Sequence, residues 1–109
     1  MTNFGQMMKQ AQEMQTRMAM AQENIAALEA TGVSGGGLVE VTVSGKGEMR
    51  ALKIDSSISN SGDHEMLEDL IIAAHNDARN KVDSLVREEM SKVAGGLSLP
   101  SGLGIPGLS

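Results

Sequence analysis

Phe4, Met7, Ala11, Met14, Met18, Ala21, Ile25 and Leu28 recur at alternating steps of three and four, the a/d ladder of a heptad pattern. Such a period draws a narrow apolar stripe down one side of a helix, the kind that seats against another helix. It predicts a helix over residues 3–30, opened by Asn3 as N-cap with Gln6 at capping-box spacing. No proline interrupts it, and its one glycine, Gly5, falls in the first turn. A rod of that span is roughly 42 Å long at about 1.5 Å per residue. A compact domain of about 100 residues has a radius of gyration of only about 13 Å. The rod therefore overhangs its own domain, and part of its stripe must meet something else, most simply a second copy of the chain.

Thr31-Gly32-Val33-Ser34-Gly35-Gly36-Gly37 breaks the helix. From Leu38 to Val43 the pattern switches to strict alternation, with Val39, Val41 and Val43 on one face and Glu40 and Thr42 on the other. Ser44-Gly45-Lys46-Gly47 supplies a tight turn, and Glu48–Asp55 returns as a second strand of a β-hairpin. That strand alternates less cleanly, because Leu52 and Ile54 share a face with Arg50. A lone hairpin is barely stable in water, so it needs helices over it or a partner's hairpin beside it. Residues 56–62 read as a polar loop. Asp63 then caps a second helix, whose Leu67, Ile71, Ala74, Ala78, Val82 and Leu85 step at the helical period of a core-facing stripe. Glu65, Glu68 and Asp69 complement its positive end, and Asp77–Lys81, Asp83–Arg87 and Glu88–Lys92 stand at ion-pair spacing. From Gly95 the composition collapses to Gly, Leu, Ser, Ile and Pro. The expectation is an α+β fold: one domain over 1–94, with a long N-terminal helix, an antiparallel hairpin or small sheet and a second long helix. A flexible tail over 95–109 follows it.

Composition sharpens this outline. Phe4 is the only aromatic residue among 109, so the core must be built from Val, Ile, Leu, Ala and Met. Six of nine methionines lie in the first twenty residues, which makes packing there adaptable. A core this light is marginal for a lone protomer, a second argument for oligomerisation. There is no cysteine, hence no disulfide and no thiolate metal site. The N-terminus lacks the layout of a signal peptide, and no apolar run approaches the eighteen or so residues of a membrane span. These features suggest a cytoplasmic chain with no membrane partner. The formal net charge of −5 argues against wholesale electrostatic capture by nucleic acid.

Catalytic chemistry is hard to place on these residues. Gly45-Lys46-Gly47 begins like a dinucleotide-binding fingerprint but leads into a strand, where phosphate cradling needs a helix N-terminus. His64 and His75 are eleven residues apart, about 16 Å along a helix, too far to share a metal. The acidic cluster of Glu65, Glu68 and Asp69 is explained by the helix dipole. The expectation is no enzyme, no metal, no cofactor and no small-molecule substrate. The basic residues are few: Lys46, Arg50 and Lys53 on the hairpin, Arg79, Lys81, Arg87 and Lys92 along the second helix, Lys9 and Arg17 on the first. Ordinary solvated surface with helix ion pairs is the plain explanation. Phosphate contact is the sharper one. A protein–protein adaptor, using the methionine-rich seam to receive a partner helix without any nucleic acid, is the rival from another class.

The middle of the chain tips that balance. Gly35-Gly36-Gly37-Leu38-Val39-Glu40-Val41-Thr42-Val43, followed by Gly45 and Ile54-Asp55, resembles the signature of the YbaB/EbfC family of bacterial nucleoid-associated proteins. Glu65-Met66-Leu67-Glu68-Asp69-Leu70-Ile71, with Ala73-Ala74, Asn76-Asp77-Ala78 and Lys81-Val82, resembles that family's second block. One departure is Ser44-Gly45 where the family often has Asn-Gly at the hairpin turn. The resemblance implies a tweezer-like homodimer whose hairpins form a joint sheet and whose helices project as arms. It also implies binding to double-stranded DNA in the nucleoid, with roles in nucleoid organisation and gene regulation. Charge then points to Lys9, Arg17, Arg79, Lys81, Arg87 and Lys92 as DNA contacts. The apolar patterns point to Met7, Met14, Met18, Ile25, Leu28, Val39, Val41 and Val43 as dimer or helix-seam residues.

Overall fold

Two long helices, a short one and three strands account for residues 4–95, the span that the computed structural model describes. They run in the order α1 (Phe4–Ala27), β1 (Glu29–Ser34), β2 (Val39–Ser44), β3 (Met49–Ile54), α2 (Ser56–Ser59) and α3 (His64–Gly95). The expected Asn3 cap lies outside the described residues, as does the tail expected over 95–109 apart from Gly95, which is the last residue of α3. The expected α+β architecture is present, with one strand more than the hairpin.

That strand, β1, corrects the expected helix end. The first helix stops at Ala27, and Glu29–Ser34 pairs antiparallel with β2 from Glu29 opposite Ser44 to Ser34 opposite Val39. The turn out of α1 is tied down by two bonds: Leu28 N–H donates to the Ile25 carbonyl (3.1 Å), and Gly45 N–H to the Leu28 carbonyl (2.9 Å). A side chain at Gly45 would run into the Ile25 carbonyl, so the approach of hairpin to helix requires a glycine there. Leu28, expected on the helical ladder, has left the helix and packs half-buried against the core.

The sheet has the order β1-β2-β3, entirely antiparallel. Alternation in β2 works as expected: Val39, Val41 and Val43 are fully buried. They form the core with Ala74, Ala78 and Val82 of α3. In β3 the register slips. Thr42 faces Ala51 but Val43 faces Met49, leaving Arg50 as the extra residue of a bulge. The bulge resolves the imperfect alternation of the sequence: Met49, Leu52 and Ile54 now share the face of Val43, Val41 and Val39, and Arg50 drops out of phase. The β2–β3 turn is organised by Ser44, whose buried hydroxyl oxygen accepts from the N–H groups of Lys46 and Glu48 (both 3.2 Å). Gly47 follows at φ +86°, the left-handed backbone such a turn needs.

The loop expected over 56–62 is partly helical. Asp55 accepts from the N–H and hydroxyl of Ser57 (2.9 and 2.7 Å), and the short α2 that it caps buries Ile58. Asp63 caps α3 as its sequence position suggested, accepting from the N–H of Met66 (3.0 Å). The overhang is also present. The described residues measure 74 × 26 × 16 Å with a radius of gyration of 20.2 Å, well above the ~13 Å of a compact chain of about this length. Of α1, only Met18 onward gains cover, with Ala21 and Ile25 buried; every residue from Phe4 to Arg17 is exposed.

Candidate nucleic-acid interface

Six cations were singled out as phosphate contacts, and the fold sorts them by what each already holds. Lys81 Nζ lies 3.0 Å from Asp77 and donates to the Thr31 carbonyl of β1 (3.2 Å). Arg79 sits over the β2–β3 turn, so close that a Cβ at Gly47 would fall 2.9 Å from its Nη1, and reaches Asp83 at 4.0 Å. Both are tied to the sheet end of α3. Farther along, Arg87 donates to the Ser84 hydroxyl (3.1 Å) and Lys92 pairs with Glu89 (3.5 Å). Of the three expected i,i+4 pairs only Asp77–Lys81 is made. Asp83 turns back to Arg79 and Lys92 to Glu89, each finding its opposite charge on the neighbouring row of the same helix. Lys9 and Arg17, on the exposed length of α1, make no ion pair among the described residues.

Arg17 and Lys92 come together. They line opposite sides of a hollow of about 160 Å³ between α1 and α3, floored by Met20, Ala21 and Val93. Asn24 Nδ2 donates to Glu89 Oε1 at its sheet end (3.1 Å). As α1 descends from Asn24 to Arg17, α3 ascends from Glu89 to Val93, so the helices run antiparallel. Lys9 lies about two turns beyond Arg17, and the two line one open hollow on α1 with Gln12, Glu13 and Thr16.

The apolar candidates divide as sharply. Val39, Val41 and Val43 are spent inside the chain's own core, and Ile25 is buried too. Met7 and Met14 stay open to a partner, and Met18 is half-buried. An exposed apolar surface whose residues the sequence reading did not name lies on β3, where Met49 is 46% and Leu52 43% exposed. The clue was present in the sequence, since a strand whose alternation slips at one residue is the mark of a bulge. Helix α3 lies across β1 and β2, and β3 projects past it with every residue but Ile54 exposed.

The outer edge of β1 is occupied by α3. Asp77 accepts from the Val33 N–H (3.0 Å), Lys81 donates to Thr31 and the Ser34 hydroxyl donates to the Leu70 carbonyl (2.6 Å). The Val33 N–H first, and Lys81 second, hold the Asp77 carboxyl below its ordinary range. Gly32 lets the strand lie this close, because a Cβ there would land on the backbone of Ala74 and Ala78. The outer edge of β3 has no hydrogen-bond partner among the described residues.

Among the described residues no group of three or more His, Asp or Glu side chains is placed to hold a metal ion, and no helix is long and apolar enough to cross a membrane. The described residues thus present a small sheet with one bare edge, backed by long helices that carry scattered cations. Residues 1–97 match the model of the YbaB/EbfC DNA-binding family, and the chain belongs to that family. It is 51% identical over 106 residues to a protein of Rhodospirillum rubrum named nucleoid-associated protein, covering 97% of this chain and 99% of the other. A nucleoid-associated protein of Granulibacter bethesdensis is 48% identical over the same shares. Among solved structures, an uncharacterized protein of Helicobacter pylori matches with a TM-score of 0.72 and 26% identity, over 87% of this chain and all of that one.

Proposed function

We propose that this protein is a non-enzymatic, homodimeric binder of double-stranded DNA in the nucleoid, contributing to its organisation and to gene regulation. The observation that carries the reading is the overhang. Phe4–Arg17 is an exposed stretch of helix, roughly 20 Å long at 1.5 Å per residue, that carries Lys9 and Arg17 away from the acidic body. Family membership and the names of the relatives support DNA and the nucleoid as its target.

The bare edge of β3 supports the dimeric reading. An exposed six-residue edge is a template for pairing, and two copies joined there by a two-fold axis form one continuous six-stranded sheet. That arrangement sets Met49 and Leu52 of the two copies side by side on one face of the sheet and leaves both pairs of helices projecting as arms. The net charge of −5 per chain opposes long-range attraction, but charges beyond about 8 Å are screened at physiological salt. Lys9, Arg17, Arg87 and Lys92 therefore act locally. Arg79 and Lys81, engaged at the sheet, contribute less. With Phe4 the sole aromatic there is no platform for stacking unpaired bases. Duplex is the favoured form, read mainly through its backbone and shape.

Titration of a labelled duplex at several salt concentrations tests this. The expected result is binding whose log–log salt slope is modest, with about 0.9 lost for each phosphate contact removed in Lys9→Gln, Arg17→Gln and Arg87→Gln. A folded protein that fails to bind duplex even at low salt, or that prefers single strands, contradicts the reading. Capture of a stoichiometric protein partner by the methionine stripe would favour an adaptor instead.

A further inference from the structure

Charge is spread unevenly along α3. From His64 to Ala78 it holds Glu65, Glu68, Asp69 and Asp77 and no lysine or arginine. Asp77 is taken up at the edge of β1, and Glu65 stands in the first turn, where the helix dipole favours an acid. Glu68 and Asp69 lie one turn farther in, where that effect has faded. They make no ion pair among the described residues. Just beyond them the helix presents Ile72, which is 59% exposed. Glu68 and Asp69 precede it by four and three residues, the spacing of neighbours on a helix surface. This is an apolar knob with carboxylates at its side.

The opposite chemistry stands toward the far end of the same helix. The hollow between α1 and α3 is apolar at its floor, through Met20, Ala21 and Val93, and cationic at its rim, through Arg17 and Lys92. Its floor is open to solvent, Met20 being 56% exposed. At about 160 Å³ it falls short of the ~300 Å³ at which small-molecule sites begin, and it suits a single aliphatic side chain. We propose that it receives Ile72 of a second copy, with Glu68 and Asp69 of that copy set against Arg17 and Lys92. A chain cannot fill its own hollow, because about 30 Å of helix, at 1.5 Å per residue, separates Ile72 from Lys92. Knob and hollow are different patches of one molecule, so the contact is heterologous and builds rings or open chains rather than a two-fold pair. It uses none of the β3 edge and therefore adds to pairing there. One apolar anchor and a few exposed charges make a weak joint, weakened further as salt screens it. Arg17 and Lys92 are also assigned to phosphate, so a neighbouring copy and a duplex compete for them, but the joint itself requires no DNA.

Sedimentation velocity of the full chain without DNA, from micromolar to submillimolar concentration, tests this. The expected result is growth beyond the starting species as concentration rises, reduced by added salt. Ile72→Ser, Glu68→Lys with Asp69→Lys, and Arg17→Glu with Lys92→Glu should each weaken that growth about tenfold or more. All five positions are exposed, and circular dichroism should be unchanged. Joining the two charge reversals in one chain restores complementarity in the opposite sense, and association should return to within about threefold of the parent. The Leu52→Asp chain, deprived of the proposed β3 pairing, should show the same dependence starting from single chains, so the outcome does not hinge on the dimer. No growth at submillimolar concentration, growth indifferent to Ile72→Ser, or reversals that fail to rescue one another would each overturn the proposal.

Discussion

β1 and β3 are six-residue edge strands of one sheet, each paired on its inner side to β2, and their outer edges meet opposite surroundings. Along β1, Asp77 and Lys81 reach down from α3 to take the Val33 N–H and the Thr31 carbonyl. Along β3 the corresponding side is open, and the apolar face carrying Met49 and Leu52 is uncovered. Strand composition does not explain the contrast. Glu-Ala-Thr-Gly-Val-Ser is the poorer strand by any propensity, yet it is the one held fast. What decides is the line of α3, which crosses β1 and β2 and stops short of β3. One edge is closed by the chain itself, and the other is left for something else to close.

The largest effect is expected where β1 meets α3. Gly32→Val drives a branched side chain into the backbone of Ala74 and Ala78, which has no rotamer with which to yield. Urea denaturation should show a loss of about 3 kcal/mol or more, or no cooperative transition. Gly36→Val, in open space on the loop at φ +71°, should keep the fold at a smaller cost from backbone strain. Equal effects at the two sites would break the claim that close packing of α3 makes β1 a strand.

Next in size is the open edge. Leu52→Asp leaves the core of one chain intact but places a charge on the surface proposed to pair. The dimer dissociation constant should rise at least a hundredfold, about 2.7 kcal/mol, with the far-ultraviolet circular dichroism retained. An unchanged constant would remove β3 from the interface.

The smallest effect belongs to the bonds that close β1. Asp77 is held below its ordinary value of 3.8 by the Val33 N–H and then by Lys81. A carboxyl whose folded value is lowered stabilises the fold fully above the unfolded value, and the contribution is lost as pH falls from there through the folded value. Asp77→Asn should therefore lower the urea midpoint at pH 7, and the difference from the parent chain should shrink steadily below about pH 4. Asp55, lowered by Ser57, titrates in the same range but is common to both proteins, so it cancels in the comparison. A difference independent of pH would mean that the carboxylate charge is not what closes the edge.

The parts legible in the sequence were those whose signal is periodic and local. The stripe of α3, its Asp63 cap, the alternation of β2 and the overhang of α1 all follow from patterns that one element carries by itself. β1 was hidden because its reason for existing lies forty-odd residues away, in the small side chains of Ala74 and Ala78 that accept Gly32 and in Asp77 that binds its edge. Read alone, Gly32 is a helix breaker. The heptad ladder misled at its end, since Leu28 keeps the apolar spacing while the backbone has already turned toward Gly45. Of the candidate site, the cations were visible but their engagements were not. Asp83 and Lys92 each had two possible partners on α3, and spacing could not choose between them. The exposed face of β3 was concealed by the Arg50 bulge, which shifts Met49 into line with Leu52 only when paired with β2.

The proposed closure of the β3 edge by a second copy is the point on which the arms, the sheet and the proposed grip on a duplex converge. Sedimentation equilibrium of the full chain at micromolar concentration, without DNA, tests it most directly. A single species at twice the chain mass of 11.4 kDa is the predicted result. A stable, folded species at 11.4 kDa would contradict the account.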